Sequence, residues 1–315
     1  MRRGDRVALV RCSNPQPSQN RDRFKALAET LRRLGLEPVD TPFLYGGGAR
    51  ERAEALMECY RDESIRALFD ISGGDMANEV LPYLDYDIIR ENQKPFWGYS
   101  DLTTVINAIY AKTGAPSMLY QARNLLGWTM KGNLDGETAR LQQDRMGRFL
   151  AGDEAALTGF PYRMVRGTAM KGTVVGGNIR CLLKLAGTPY WPDLRGNILL
   201  LEAHGGKEPQ MRTYLSQLKQ LGAFQQAAGI LLGTFTVLEE EGKGLSMEDL
   251  VLEYADGGSL ETESSSPLRK DIHAHPKTDG ILPIAKTCHI GHSAAAMGIW
   301  IGRELELSAA PCHSC

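Results

Sequence analysis

Short apolar stretches alternate with amphipathic helical stretches through residues 6–112, and this alternation restricts the fold more than any other feature of the chain. Residues 6–10 read as a buried strand. Residues 20–34 then place Phe24, Leu27, Leu31 and Leu34 at helical spacing, and Gly35 closes that helix in the position glycine favours. The cycle repeats, with strands at 37–39, 67–71 and 95–98 and helices at 50–62, around 78–82 and at 102–112. Strands separated by helices predict βαβ units and a mainly parallel sheet. At 315 residues, and about 150 residues per domain, the chain has room for two such units. The first spans 1–126. Residues 127–167 are charged and glycine-punctuated, without a clear buried strand, and read as a linker or cover segment. The second unit, 168–315, carries strands at 172–175, 197–201, 229–233 and 281–285, helices through 185 and at 211–221, and a turn at Gly176-Gly177-Asn178. The polar stretch 254–277 reads as an exposed insertion.

Charge excludes several partners. Thirty-six basic and 38 acidic residues give a formal charge of −2, which exerts no global pull on nucleic acid or an anionic membrane. No apolar run approaches the roughly 18 residues that span a bilayer. The N-terminus lacks the apolar core of a secretory signal, so a cytoplasmic protein is expected. The six cysteines follow no framework spacing and are expected as free thiols. Cys312 and Cys315 have a redox or metal spacing, but at a chain end prone to fraying.

The sharpest chemical signal is Gly98-Tyr99-Ser100-Asp101, where a strand runs through a glycine into a serine and a helix begins at once. A nucleophile elbow is built this way, with free N–H groups of the helix start at hand for an oxyanion. An ordinary serine N-cap has the same local pattern, and the second glycine of the motif is missing. Glu202 ends the apolar run 198–201, at the strand end where α/β sheets carry functional groups; a carboxylate capping the next turn also fits. His292 follows the strand at 281–285 and suits a general base, with His289 as its rival in the same loop. His273 and His275, with His289 and His292 downstream, raise a metal site, though zinc sites need a third ligand at favourable spacing and an acid close by, and the pair sits in the polar insertion beside Pro276, where exposed histidines are usual. The run Gly46-Gly47-Gly48 lacks the lysine and serine of a phosphate loop.

Taken in order, Gly73-Gly74, the stretch Leu81-Pro82-Tyr83-Leu84-Asp85-Tyr86-Asp87, Gly98-Tyr99-Ser100-Asp101, Gly176-Gly177-Asn178, Leu199-Leu200-Leu201-Glu202 and Gly291-His292 resemble the LD-carboxypeptidases, a serine peptidase family that includes the microcin C immunity proteins. The resemblance runs from about residue 6 to 308. It implies an α/β fold with a doubly wound, flavodoxin- or Rossmann-like N-terminal domain and a C-terminal β-rich α/β domain, with the active site in the cleft between them. It further implies a triad of Ser100 as nucleophile, His292 as general base and Glu202 as orienting acid, with an oxyanion hole from the backbone at Gly74 and Asp101. Neither metal nor organic cofactor is implied. The expected partner is a small peptide-like substrate, handled within a homodimer.

The family substrate is a murein peptide, cut before a terminal D-amino acid in peptidoglycan recycling. Antibiotic immunity by cleavage of a peptidyl-nucleotide is the rival activity, with Tyr120, Trp128 and Trp191 as candidate stacking surfaces. A catalytically inactive small-molecule binding protein is the alternative of another class. Three departures bear on the pocket. Asp75 stands where an aromatic residue usually follows the paired glycines, Tyr120-Gln121-Ala122-Arg123 replaces a His-Gly-Pro-like segment, and Ala203 replaces an acid after the glutamate. The insertion at 254–277 has a length that suits a lid. Arg123 and Arg180 are the candidates, by chemistry, for holding a substrate carboxylate.

Overall fold

The computed structural model describes residues 1–128, 132–256 and 281–309. The expectations for His273, His275, Cys312, Cys315 and all but the first residues of the 254–277 insertion lie outside the described residues.

Twelve strands build two six-stranded sheets among the described residues. The first holds β1 (Arg6–Val10), β2 (Glu37–Asp40), β3 (Ile65–Asp70), β4 (Phe96–Gly98) and β5 (Ser117–Leu119), all parallel, in the order β2-β1-β3-β4-β5. That order is doubly wound, and its crevice lies where neighbouring connections leave in opposite directions, beyond the ends of β1 and β3. Both faces of β1 are covered. Val7 and Leu9 pack with Phe24, Leu27 and Leu31 of α1 (Arg21–Arg33), whereas Ala8 and Val10 pack with Ala53 and Leu56 of α2 (Ala49–Arg61). A two-residue period with both faces buried explains why these strands read as continuous apolar runs. As expected, α1 ends at Gly35, whose φ of +90° suits glycine.

The second sheet has the order β12-β7-β8-β9-β10-β6, with β7 (Ala169–Asn178), β8 (Ile198–Ala203), β9 (Gly229–Phe235) and β10 (Ile284–Lys286) mutually parallel. Its edges are β6 (Arg163–Arg166) and β12 (Glu304–Ser308), both antiparallel to their neighbours.

Several local expectations change. The stretch around 78–82 is a 3-10 helix, Ala77–Tyr83, because Pro82 and its short length prevent a regular α-helix. Gly176-Gly177-Asn178 is the end of β7, paired in register with Leu200, Leu201 and Glu202, rather than a turn. The segment 127–167 contributes α5 (Gly136–Leu150), α6 (Ala155–Thr158) and the edge strand β6; Met146 and Phe149 of α5 join the core around Trp97. The strand expected from 281 begins only at Ile284, with Ile281 72% exposed. Finally, β11 (Ile299–Ile301) returns to the first sheet and pairs antiparallel with β5.

The helix after β4, α4 (Thr103–Thr113), is wedged between the sheets. Val105 and Ile106 share one core with Val174 of β7, Ile198 and Leu200 of β8, and Leu231 of β9. Asn107 fixes the contact. Its Nδ2 donates to the carbonyls of Thr103 and Gly176 at 2.8 Å, and its Oδ1 accepts from the Gly176 N–H at 2.8 Å. Thr103 Oγ1 accepts from Asn178 N at 3.0 Å, and a Cβ at Gly177 would lie 2.8 Å from that hydroxyl, so only glycine permits the approach. No described helix is long and apolar enough to cross a membrane.

Asn107→Leu leaves both backbone groups of Gly176 buried without their partner. Such a loss costs about 1–3 kcal/mol per group, so urea denaturation should show a clearly lowered midpoint. An unchanged midpoint would remove Asn107 as the tie between the sheets.

Candidate active site

The chain leaves β4 through a turn with no room for a side chain at Gly98, where a Cβ would sit 2.6 Å from that of Leu102. The missing second glycine of the elbow motif is therefore Leu102, which presses on the first. Tyr99 is extended at φ −152°, and Ser100 follows at φ +56°, in the left-handed region that L side chains avoid. Ser100 thus lines the cleft in the strained backbone conformation that a nucleophile elbow uses.

His292 meets that hydroxyl, with Nε2 3.1 Å from Ser100 Oγ. On the other side of its ring, Nδ1 lies 2.8 Å from Glu202 Oε2. With Nδ1 donating to the carboxylate, Nε2 is the acceptor and faces the serine proton. Glu202 has no solvent exposure and His292 is 7% exposed, so the pair is shielded from bulk water. The glutamate arrives at the end of β8 beside Asn178, the residue that docks on α4. Residues 100, 202 and 292 therefore converge across both sheets. His289 makes no hydrogen bond to either Ser100 or Glu202; its pKa is lowered by burial and then by Arg145.

Two neighbours were not anticipated from the sequence. Tyr99 Oη lies 3.2 Å from Glu202 Oε2, to which it donates, and 3.2 Å from His292 Nδ1. Burial, and then the charge of Glu202, push the phenol pKa well above its ordinary value, so Tyr99 remains a donor. The His204 ring lies 5.1 Å from that of His292, and its pKa is lowered by burial and then by His292. The strand period does not place it, because β8 ends at Ala203 and His204 stands in the bend beyond. For Tyr99 the only signal was its adjacency to Ser100.

Gly73, Gly74, Ser100 and His292 line a cleft of about 480 Å³, with Arg123 and Trp128 on its wall. Asp101 is fully buried and its carboxylate accepts from Ser13 Oγ at 2.6 Å, Ala77 N at 2.8 Å and Lys184 Nζ at 2.5 Å. It thereby ties the start of α4 to the segment that follows Gly74. Arg180 is ion-paired with Asp75. Of the three aromatic residues considered for stacking, Trp128 alone lines this cleft; Tyr120 is 1% exposed and donates to Gln142 Oε1 at 3.1 Å, and Trp191 packs against the cores. Among the described residues no group of three His, Cys, Asp or Glu side chains is placed to hold a metal ion.

A doubly wound sheet, a serine on a strained strand-to-helix turn and an imidazole backed by a buried carboxylate are the parts from which serine hydrolases of the α/β class are built. Similarity to known proteins narrows this further. Residues 7–120 match the LD-carboxypeptidase N-terminal domain and residues 171–307 the LD-carboxypeptidase C-terminal domain, and the chain belongs to that family. It is 30% identical over 269 residues to the "Probable murein peptide carboxypeptidase" of Bacillus subtilis, covering 81% of this chain and 80% of that one. It is 26% identical over 298 residues to the Microcin C7 self-immunity protein MccF of Escherichia coli, covering 82% and 83%. The structure of MccF in complex with glutamyl sulfamoyl guanosine superposes with a TM-score of 0.79 at 21% identity, covering 98% of this chain and 94% of that one.

The strain at Ser100 is measurable. A left-handed conformation costs an L-residue about 1–2 kcal/mol, partly offset in glycine by its greater unfolded-state entropy. Ser100→Gly should therefore unfold at higher denaturant than Ser100→Ala, by up to about 1 kcal/mol. If the alanine variant proves the more stable, the turn is not strained.

Proposed function

We propose that this peptidase hydrolyses the amide bond to a terminal D-amino acid of a murein peptide, with Ser100, His292 and Glu202 as its triad. The observation that carries the reading is the relay from Ser100 Oγ through the two ring nitrogens of His292 to Glu202, at 3.1 and 2.8 Å. Serine is a poor nucleophile until a base takes its proton. As Ser100 Oγ attacks the scissile carbonyl carbon, His292 Nε2 accepts that proton and Glu202 stabilises the imidazolium. The N–H groups of Asp101 and Gly74 hold the tetrahedral oxyanion. On collapse the C–N bond breaks, and His292 returns the proton to the departing amine. Water, deprotonated by the same imidazole, then attacks the acyl ester and restores Ser100. Tyr99, by donating to Glu202, keeps the carboxylate aimed at Nδ1. The steps call on no metal or organic cofactor. The same reading takes the enzyme as a homodimer in the cytoplasm, where recycled murein peptides would reach it.

A second activity has one observation in its favour. Trp128 on the cleft wall offers a flat surface for a nucleobase, and a relative is named for self-immunity to microcin C7. Faster turnover of a peptidyl-adenylate than of a murein peptide would make that the better reading.

D-Alanine release from L-Ala-D-Glu-diaminopimelate-D-Ala should occur with the wild type, and fall by at least about a thousandfold in Ser100→Ala with the fold retained. Full activity in Ser100→Ala would end the assignment. Tyr99→Phe should lower kcat about tenfold, corresponding to a lost charge-assisted hydrogen bond of about 1.4 kcal/mol. Unchanged kcat would make Tyr99 a packing residue only.

A further inference from the structure

The basic side chains around the cleft are mostly committed to carboxylates of the protein itself. Arg180 pairs with Asp75, Lys184 with the buried Asp101, and Arg52 with Glu79. Arg123 differs. It sits on the 3-10 turn Ala122–Leu126, which follows β5 at the same end of the sheet where β4 delivers Ser100; Leu119 of β5 pairs with Gly98 of β4. Gln121 Oε1 caps that turn by accepting from Arg123 N at 3.4 Å.

The Arg123 guanidinium lies against the Gly73–Gly74 backbone, with Nη2 3.8 Å from where a Cβ on Gly73 would stand, and its Cζ is 5.0 Å from the centre of the Trp128 ring. Among the described residues it meets no carboxylate within ion-pair distance, and its guanidinium makes no hydrogen bond. The acid with the largest electrostatic effect on it is Asp70, whose oxygens are already engaged by Ser72 and by the N–H of Cys12. Burial lowers its pKa, and Asp70 opposes this only in part. The side chain is half-buried on the cleft wall, and its guanidinium presents five donors there, none committed to another group of the protein among the described residues. Ser100 shares the cleft that Arg123 lines.

We propose that Arg123 binds the carboxylate of the substrate's terminal residue and thereby restricts the enzyme to peptides with a free C-terminus one residue beyond the scissile bond. The planar fork of the guanidinium matches a carboxylate through two parallel N–H···O bonds. One residue spans about 3.8 Å between successive Cα atoms, a separation that a single cleft accommodates. Arg123 stands within the segment that departs from the family pattern, so the specificity belongs to this chain's own residues. The proposal rests on the peptidase reading for the choice of ligand, but it is a statement about binding and is tested without turnover.

The ligands are L-Ala-D-Glu-diaminopimelate-D-Ala and its C-terminal amide, titrated by calorimetry into Ser100→Ala protein and into the same protein carrying Arg123→Gln or Arg123→Lys. The acid should bind Ser100→Ala about 10- to 100-fold more tightly than the amide, as expected for a charge-assisted bidentate pair. Arg123→Gln should weaken the acid alone and erase the difference, while Arg123→Lys, which keeps the charge without the fork, should retain part of it. Equal affinity for acid and amide in Ser100→Ala, or an unchanged preference in Arg123→Gln, would overturn the proposal. Equal weakening of both ligands would also overturn it, by assigning Arg123 a structural role. If Arg123→Gln does not fold, Arg123→Lys carries the test: a preference as strong as with arginine rejects the fork. The peptidase reading fails separately, if the wild type prefers the acid yet releases no D-alanine.

Discussion

The docking of α4 against the end of β7 is the contact on which the site depends. Asn107 holds both the N–H and the carbonyl of Gly176, Thr103 accepts from Asn178, and Gly177 leaves the space for the helix to approach. The N-terminus of α4 is where Ser100 stands, and Asn178 is the register partner of Glu202. One helix-to-strand contact thus sets the distance between the hydroxyl of Ser100 beside the first sheet and the carboxylate of Glu202 on the second. An imidazole bridges that gap only if it is held to within a few tenths of an ångström, which a packed core achieves and a flexible linker does not.

Strain and burial are concentrated at the same place. Ser100 occupies a left-handed backbone conformation, Glu202 is a fully buried acid, and Tyr99 spends its hydroxyl on that acid. Each of these is unfavourable in isolation and tolerable as part of the set. The imidazole and the phenol both bond to Oε2 of the carboxylate, whose Oε1 is buried without a hydrogen-bond partner among the described residues, and the turn is clamped by Leu102 on one side and by the Asp101–Lys184 pair on the other. Buried polar groups of this kind stabilise when every partner is present and destabilise when one is missing. The site is therefore bound to the integrity of both sheets.

Much of the architecture was legible before any coordinates. The helical spacing of Phe24, Leu27 and Leu31 and the apolar runs at β1, β3, β8 and β9 report burial directly. A period of 3.6 lays one face of a helix against a core, and an unbroken apolar strand is covered on both of its faces. The three-residue strand β5 escaped notice because Ser117, Met118 and Leu119 are too few to display any period. So did β11, which lies among the elements of the second sheet in sequence but pairs with a strand of the first about 180 residues away. The paired glycines of β7 read as a turn because local propensity treats glycine as a breaker. In the fold they mark a close approach between two elements.

Residue order and chemistry alone determined the α/β class and the short list of nucleophile, acid and base candidates, Ser100 among them, because these follow from periodicity and from the chemistry of side chains. Which members of that list meet was decided by tertiary structure. His292 rather than His289 faces Ser100, and Tyr99 turns its hydroxyl to Glu202. Arg123 lies in the cleft without a carboxylate of its own, whereas Arg180 is paired with Asp75. The physical reason is common to all of these. Contact between residues 90 to 192 positions apart depends on how two sheets pack about one helix, and no local pattern in the chain encodes that distance.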